Sequence, residues 1–221
     1  MRTKTLVLTA VLSVAGAAAS FVQAAVYSVN AVGYVNKVIP PGYSMIANPL
    51  NNTAANGNTV AVLFPSVPNG TSIFKYDEST HLFVGNSYVF GWSNPNMTLV
   101  PGEGAFINNP TTTAFTNTFL GEVAQGGPGT ANPTLSNPIP QGFSIRSSQV
   151  PQKGQLDTDL KFPVANGDSI FQFNNASGLY EGHSYVFGWN TPPTNDVAEA
   201  FFVNKVSATT WTRDFSVNTT P

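Results

Sequence analysis

Short apolar runs separated by glycine, proline and asparagine recur along the chain at the spacing of strands and turns. The runs are rich in Val, Ile, Phe, Tyr and Thr, which favour strands. In the first half we predict strands near residues 34–39, 43–48, 71–76, 86–92, 104–109 and 114–120, with counterparts in the second half. Residues 59–64 and 156–162 are compatible with a strand or a short helix, and the prolines that follow favour the helix. The pattern therefore predicts an all-β fold with at most one short helix in each half.

The second half of the chain repeats the first. Residues 69–74 return as 166–171, and of the eight residues 85–92, seven are identical in 182–189. The order of the matching segments is kept, while their offset drifts from 100 to 96 residues, as loop trimming would produce. A repeat of this length is the mark of a duplicated structural unit. We predict two tandem homologous β-sandwich-like domains.

The repeat divides the chain into five parts. They are a signal peptide (residues 1–24), a lead-in strand (25–33), a first β-domain (34–122), a Gly/Pro linker (123–133) and a second β-domain (134–221). The second domain has no counterpart of the lead-in, whose core is Val26, Tyr27, Ser28, Val29, Asn30, Ala31 and Val32. Two uses of it are open: it folds back as an edge strand of its own domain, or it adds as a strand to a neighbouring subunit.

The first residues have the layout of a secretory signal. Arg2 and Lys4 precede an apolar run over residues 6–21, and Val22 and Ala24 flank Gln23 at the expected cleavage site. The run is short for a membrane span, which takes about 20 residues. No later segment is apolar enough to cross a bilayer. We therefore predict export to the cell surface or medium, with no membrane span in the mature chain.

Charge and cysteine content exclude several classes of function. Charged residues make up 9% of the chain, against about 25% in typical domains. The net charge is −2, which argues against a nucleic-acid partner. With no cysteine in the 221 residues, disulfides, thiol catalysis and cysteine-based zinc sites are all excluded.

Two aromatic rows offer the clearest candidate for a binding site. If residues 86–92 form a strand, then Tyr88, Phe90 and Trp92 share one face of it, and Tyr185, Phe187 and Trp189 share a face in the second half. Such a row could stack on sugar rings of an extracellular polysaccharide. The alternative is that the rows form the two cores, with both tryptophans largely buried.

The polar residues form no recognisable catalytic or metal-binding pattern. Glu103 and Glu199 are acids kept in register, but equivalent positions in tandem domains are too far apart to act as a pair on one bond. A role at a turn or strand start is the better interpretation. His81 and His183 have no histidine at their repeat equivalents. We predict no catalytic residues, no cofactor and no metal site.

Three segments of the first half, residues 40–49, 90–92 and 99–107, fit the general form "PxGWNLIxNP … PGxGFWI". This pattern resembles a module of secreted proteins of the Verrucomicrobia and related bacteria, and the resemblance spans both copies of the repeat. The second half departs from it at residues 146–149 and 197–199. The resemblance implies an extracellular β-protein and brings no catalytic residues with it.

Export, duplication and low charge together favour a structural role. We expect a non-catalytic secreted subunit of a filament, surface layer or matrix, which associates with itself. N-terminal strand addition is the route to a polymer that stays open if the lead-in does not fold back on its own domain. The alternative is a carbohydrate-binding or adhesive β-module that uses the aromatic rows.

Overall fold

The computed structural model describes residues 31–217, and this part of the chain is almost entirely β-structure. It contains fourteen strands and one helix of four residues. The first half contains β1 (Val32–Ile39), β2 (Gly42–Ile46), α1 (Val60–Leu63), β3 (Ser72–Asp77), β4 (Leu82–Ser87), β5 (Ala105–Asn109) and β6 (Phe115–Glu122). The second half contains β7 (Leu135–Ile139), β8 (Gly142–Arg146), β9 (Gly154–Gln155), β10 (Ser169–Asn174), β11 (Leu179–Ser184), β12 (Thr194–Asn195), β13 (Phe201–Lys205) and β14 (Thr209–Arg213). The predicted all-β fold is confirmed.

Both halves pair their strands in the same order. Each has a four-stranded antiparallel sheet, β2-β5-β3-β4 in the first half and β8-β13-β10-β11 in the second. The first and last strands of each half form a two-stranded ribbon, β1–β6 and β7–β14. The short pair β9–β12 has no named counterpart among the first-half strands. Segments that match in sequence therefore occupy matching places in the sheets.

Each ribbon packs on one face of the four-stranded sheet in its own half. In the first half the buried residues between them are Ile39, Ile46, Phe64, Ile73, Ile107 and Phe119. In the second half they are Ile139, Leu156, Phe162, Ile170, Phe201 and Trp211. These residues alternate with side chains on the opposite face, as the pleat of a strand requires. Each half therefore has its own apolar core.

The opposite faces of the two four-stranded sheets meet each other. A third buried cluster there contains Met45, Ala47 and Phe106 from the first half with Ile145, Ala200 and Phe202 from the second. Two backbone hydrogen bonds cross the same boundary: Ala47 N–H donates to the Ala198 carbonyl (3.2 Å), and Ser147 N–H donates to the Gly102 carbonyl (3.0 Å). These two bonds link equivalent positions of the repeat, so the halves contact each other around an approximate two-fold axis.

The predicted short helix forms in the first half only. Val60–Leu63 make one turn, and Phe64 N–H donates to the Val60 carbonyl at 2.9 Å. In the second half the segment 156–162 forms turns instead. There the Asp159 carboxylate accepts a hydrogen bond from the Gln155 N–H at 2.8 Å. Aspartate side chains compete in this way with the backbone bonds of a helix, which explains the difference.

The N-terminal predictions fall mostly beyond the part of the chain that the structure describes. The signal peptide and residues 25–30 lie outside it. Of the lead-in, Val32 pairs with Glu122 in the β1–β6 ribbon, and the Ala31 carbonyl accepts a hydrogen bond from Val123 N–H at 2.8 Å. These two residues therefore extend the ladder within their own chain. No helix within residues 31–217 is long and apolar enough to cross a bilayer.

Candidate binding surfaces

The predicted strand over residues 86–92 is wrong in its second half. β4 ends at Ser87, and the chain then turns tightly, with Tyr88 bridged to Trp92. Val89 N–H donates to the Gly91 carbonyl at 2.9 Å, and Ser93 N–H donates to the Ser87 carbonyl at 2.9 Å. The three aromatic residues therefore share no face. Because Tyr185, Phe187 and Trp189 follow an equivalent turn, neither predicted row exists as a stacking platform.

Trp92 and Tyr88 point into the first half, while Phe90 points out. Trp92 is 8% exposed, and its indole N–H donates to the Phe64 carbonyl at 3.0 Å. The Tyr88 ring packs edge-on against Trp92, with centroids 5.4 Å apart. The expected burial of this tryptophan is confirmed. Trp189 is only half-buried, and the fully buried indole of the second half is Trp211, which donates to the Leu160 carbonyl at 2.9 Å.

The turns expose a phenylalanine at each tip in a conformation that bulky residues avoid. We call residues 89–91 and 186–188 the Val-Phe-Gly tips. Phe90 has φ +58° and Phe187 has φ +56°, in the left-handed region that costs about 1–2 kcal/mol per residue. Their side chains are 88% and 90% exposed. Asn69 Oδ1 accepts from Phe90 N–H at 2.9 Å, and Asn166 Oδ1 accepts from Phe187 N–H at 2.7 Å, so both tips are held the same way.

Ten aromatic residues line the region where the two four-stranded sheets meet. We call this set the aromatic array; five positions of each half contribute to it. They are Tyr43, Phe74, Tyr76, Phe83 and Phe106 in the first half and Phe143, Phe171, Phe173, Tyr180 and Phe202 in the second. Tyr76 packs edge-on against Phe202 with centroids 5.3 Å apart, and Phe106 packs on Phe173 at the same distance. The packing thus follows the two-fold relation of the halves.

Two open grooves run along the aromatic array. The larger groove has a volume of about 530 Å³ and is lined by Tyr43, Phe74, Phe83, Phe106, Phe173, Gly178 and Tyr180. The smaller groove, of about 310 Å³, is lined by Tyr76, Phe143, Phe171, Tyr180 and Phe202. Among the described residues, no charged side chain lines either groove. Burial raises the pKa of Tyr180 above its ordinary value, so this shared phenol stays neutral at physiological pH.

The sequence carried a signal for the aromatic array that the strand prediction did not use. Phe74 and Tyr76 alternate along β3, and Phe171 and Phe173 alternate along β10. Ile73 directly precedes Phe74, and Ile170 directly precedes Phe171. Both isoleucines face the core of their own half, on the opposite side of the strand from the aromatic residues. A strand with apolar residues on both faces needs other elements packed against both of them. Counting the aromatic residues on each face would have indicated a second packing surface.

A separate apolar surface lies on the first-half ribbon. On its solvent side β1 and β6 expose Val32, Tyr34, Val38 and Leu120, and the Tyr34 side chain is 69% exposed. Tyr34 pairs directly with Leu120 in the ladder. Within residues 31–217, the other edge of β1 has no strand paired to it. We call this surface the β1 face.

The second half has no such surface at the equivalent positions. Ile39 lies opposite Phe115 in one ribbon and Ile139 lies opposite Thr209 in the other, which aligns the two ladders. On this alignment Tyr34, Val38 and Leu120 correspond to Thr134, Pro138 and Asp214. The second ribbon thus presents polar residues and a proline, which lacks the backbone N–H that strand pairing needs.

The two retained glutamates close turns rather than face each other. Glu103 accepts a hydrogen bond from Val100 N–H at 2.9 Å, and Glu199 accepts one from Asp196 N–H at 2.9 Å. Each turn leads into an inner strand of its sheet, β5 or β13. Glu103 also pairs with Lys75 at 2.9 Å. These contacts agree with the predicted role at a turn or strand start.

The histidines lie apart in the described chain. The His81 ring is exposed and its Nδ1 lies 3.1 Å from the Tyr76 hydroxyl, whereas His183 is buried with Nδ1 at 2.8 Å from the Thr191 carbonyl. No group of three or more His, Asp or Glu side chains within residues 31–217 is arranged to hold a metal ion.

In comparisons with known proteins, the chain matches no family model, no curated protein and no solved structure. The resemblance to the verrucomicrobial module stays an expectation.

Proposed function

We propose that this protein is a non-catalytic, exported structural subunit that assembles with copies of itself. The observation that carries the proposal is the difference between the two ribbons. The first exposes Tyr34, Val38 and Leu120 along a free edge strand, and the second exposes polar residues and Pro138 at the same places. A duplicated protein in which one ribbon edge can pair with another chain, and the equivalent edge cannot, is suited to a directional contact between subunits.

The β1 edge is long enough to accept a strand from another chain. β1 has eight residues, three more than β7. Exposed edge strands offer a row of free N–H and C=O groups, and proteins that remain monomeric usually cover or charge them. The one charged residue of β1, Lys37, lies at a half-buried position on the opposite face from Tyr34 and Val38, so the β1 face itself carries no charge from this strand. Strand addition would satisfy the backbone groups and bury the apolar side chains in one step.

Residues 26–30 are the proposed incoming strand. Five residues in extended conformation span about 17 Å, which covers more than half of the β1 edge. Ala31 already pairs within its own chain, so the proposed incoming strand is limited to the five residues that precede it in the sequence. Its neighbour in an assembly would therefore receive it along β1 and pass its own segment to the next subunit.

Deletion of residues 25–30 tests this proposal on the chain that begins at residue 25. The deletion leaves Ala31 and all of β1 in place, so we expect unchanged thermal unfolding and loss of large species in sedimentation velocity and electron microscopy. Tyr34→Lys should have the same effect, because a lysine on an edge opposes pairing. Ser136→Lys on β7 is the matched control and should assemble like the parent. Unaltered assembly of the deletion variant would show that strand addition is wrong.

A polysaccharide ligand is the alternative function. The predicted rows at Tyr88 and Tyr185 cannot serve it, because they do not form faces. The uncharged grooves, with the phenols of Tyr43 and Tyr180, are the surface that favours it. Retention on insoluble neutral polysaccharides, lost in Tyr43→Ala and kept in Tyr34→Ala, is the result that this alternative requires.

A further inference from the structure

We infer that the Val-Phe-Gly tips of one copy insert into the grooves of the aromatic array of a neighbouring copy. The inference deepens the proposed function, since it rests on self-association and adds a second contact between subunits. Its basis is the joint presence, in one molecule, of two exposed phenylalanine tips and two apolar grooves.

The conformation and exposure of the two tip phenylalanines do not contribute to the stability of their own chain. Phe90 and Phe187 hold a left-handed conformation that asparagine or glycine would adopt more easily. Neither side chain is covered by the rest of the molecule. Strain combined with exposure at one position points to a contact with another molecule. The same construction occurs in both halves, including the asparagine that accepts the phenylalanine N–H.

The tips do not reach the two grooves of their own molecule, each of which is lined by residues of both halves. Phe83 lines the larger groove and lies near the start of β4, whereas the tip follows the end of that strand at Ser87. Four residues of extended strand separate these two positions by about 14 Å, and the chain continues away from Phe83 into the turn. In the second half Tyr180 and Phe187 have the same relation on β11. An occupant of either groove must therefore come from elsewhere.

The tips and the grooves match in size and chemistry. A cavity of about 150 Å³ lined by apolar residues holds a benzene molecule, so grooves of about 530 and 310 Å³ have room for a phenylalanine ring. The groove rings already pack edge-on against each other, and an incoming ring can join this arrangement. Neither partner carries a charge that would have to be desolvated.

The number of sites makes the contact able to propagate. A tip and a groove are different surfaces, so a copy that inserts a tip into its neighbour keeps its own grooves open unless the neighbour reciprocates in a closed two-fold dimer. With two tips and two grooves, each copy can engage neighbours on more than one side. Such contacts extend into a filament or a layer, in line with the proposed structural role.

The double variant Phe90→Asn/Phe187→Asn tests the inference. Asparagine tolerates the left-handed conformation, so we expect the melting temperature to stay the same or rise. The concentration needed for assembly should increase at least tenfold in sedimentation velocity. Val206→Asn, another exposed apolar residue, is the control and should assemble like the parent.

Cross-linking locates the contact directly, because the chain has no cysteine of its own. Phe90→Cys protein is mixed with Tyr180→Cys protein and treated with a short bismaleimide; we expect covalent dimers. Ser136→Cys in place of Tyr180→Cys should give few. Equal yields from both mixtures would overturn the inference.

The outcomes separate this inference from the proposed function. A parent protein that stays monomeric at every concentration overturns both. A parent that assembles, together with a tip double variant that assembles equally well, overturns the inference alone. Loss of binding to phosphatidylcholine vesicles or to polysaccharide in the tip double variant, with assembly unchanged, also overturns it and assigns the tips to that ligand.

Discussion

At the scale of single residues, the contact between the halves has room for one methyl group where the repeat would place two. Gly104 and Ala200 are equivalent residues that precede Ala105 and Phe201. A Cβ on Gly104 would lie 2.4 Å from both Ala200 Cβ and Ile145 Cγ2, far inside van der Waals contact. The duplicated sequence therefore had to diverge at this position for the two sheets to meet.

Gly104→Ala is expected to lower the free energy of unfolding by about 1–3 kcal/mol, because overpacking displaces side chains or backbone. Urea unfolding followed by circular dichroism measures it. Gly33→Ala in β1 is the control, since nothing lies within 4 Å of a Cβ there. Adding Ala200→Gly to Gly104→Ala should recover part of the loss. Equal stability of the Gly104 and Gly33 variants would contradict the packing between the halves.

At the scale of elements, one half uses a buried ion pair where the other uses neutral residues. Lys205 of β13 contacts Asp168, and both side chains are almost fully buried. The Asp168 carboxylate also accepts hydrogen bonds from Ala165 N–H (2.7 Å) and Val206 N–H (3.0 Å). The equivalents in the first half are Thr71 and Asn109. The ion pair thus ties the end of β13 to the turn before β10.

Asp168→Ala should destabilise the protein by about 3–5 kcal/mol, because it leaves the Lys205 ammonium buried without a counter-charge. Replacing both members by the first-half pair, Asp168→Thr with Lys205→Asn, removes the unpaired charge and should be less destabilising than Asp168→Ala alone. Chemical denaturation of the three proteins provides the comparison. If the double variant is less stable than Asp168→Ala, the ion pair itself stabilises the fold, and its role is more than the neutralisation of a buried charge.

The elements also show what local sequence can and cannot predict. The β class and the repeat follow from residue type and spacing, which act over short distances. The turn at residues 88–92 was missed because it depends on Asn69, whose side chain binds Phe90 N–H from 21 residues away. An alternating aromatic pentapeptide is equally compatible with a strand until that partner is known.

The candidate surfaces were harder to predict than the strands for a related reason. Phe106 and Phe202 are each flanked on both sides by apolar residues that face the core of their own half, so the local pattern does not say which face of the strand meets another sheet. Their contact depends on how two halves far apart in sequence pack together. The exposed β1 face has a similar origin, because only the pairing of Tyr34 with Leu120 shows that they lie side by side.

At the scale of the whole molecule, the shared cluster predicts that the halves unfold together. Phe106 and Phe202 are buried at the boundary, and backbone hydrogen bonds cross it in both directions. Trp92→Ala should destabilise the first-half core by about 3–5 kcal/mol, the usual loss for truncating a buried aromatic side chain. The two tryptophans that remain, Trp189 and Trp211, both lie in the second half, so tryptophan emission then follows the unfolding of that half.

In urea, the Trp92→Ala protein should therefore show one transition, with the shift of tryptophan emission at the same lowered midpoint as the loss of β-structure. Its control is Phe90→Ala, which removes an exposed ring from the same turn, two residues before Trp92, and should leave the midpoint near that of the parent. Coupling arises because unfolding of the first half would expose Phe202 and Ile145, which the second half buries against it. Emission that keeps the parent's midpoint while the circular dichroism signal falls earlier would mean that each half is stable alone, and that the aromatic array contributes to binding rather than to folding.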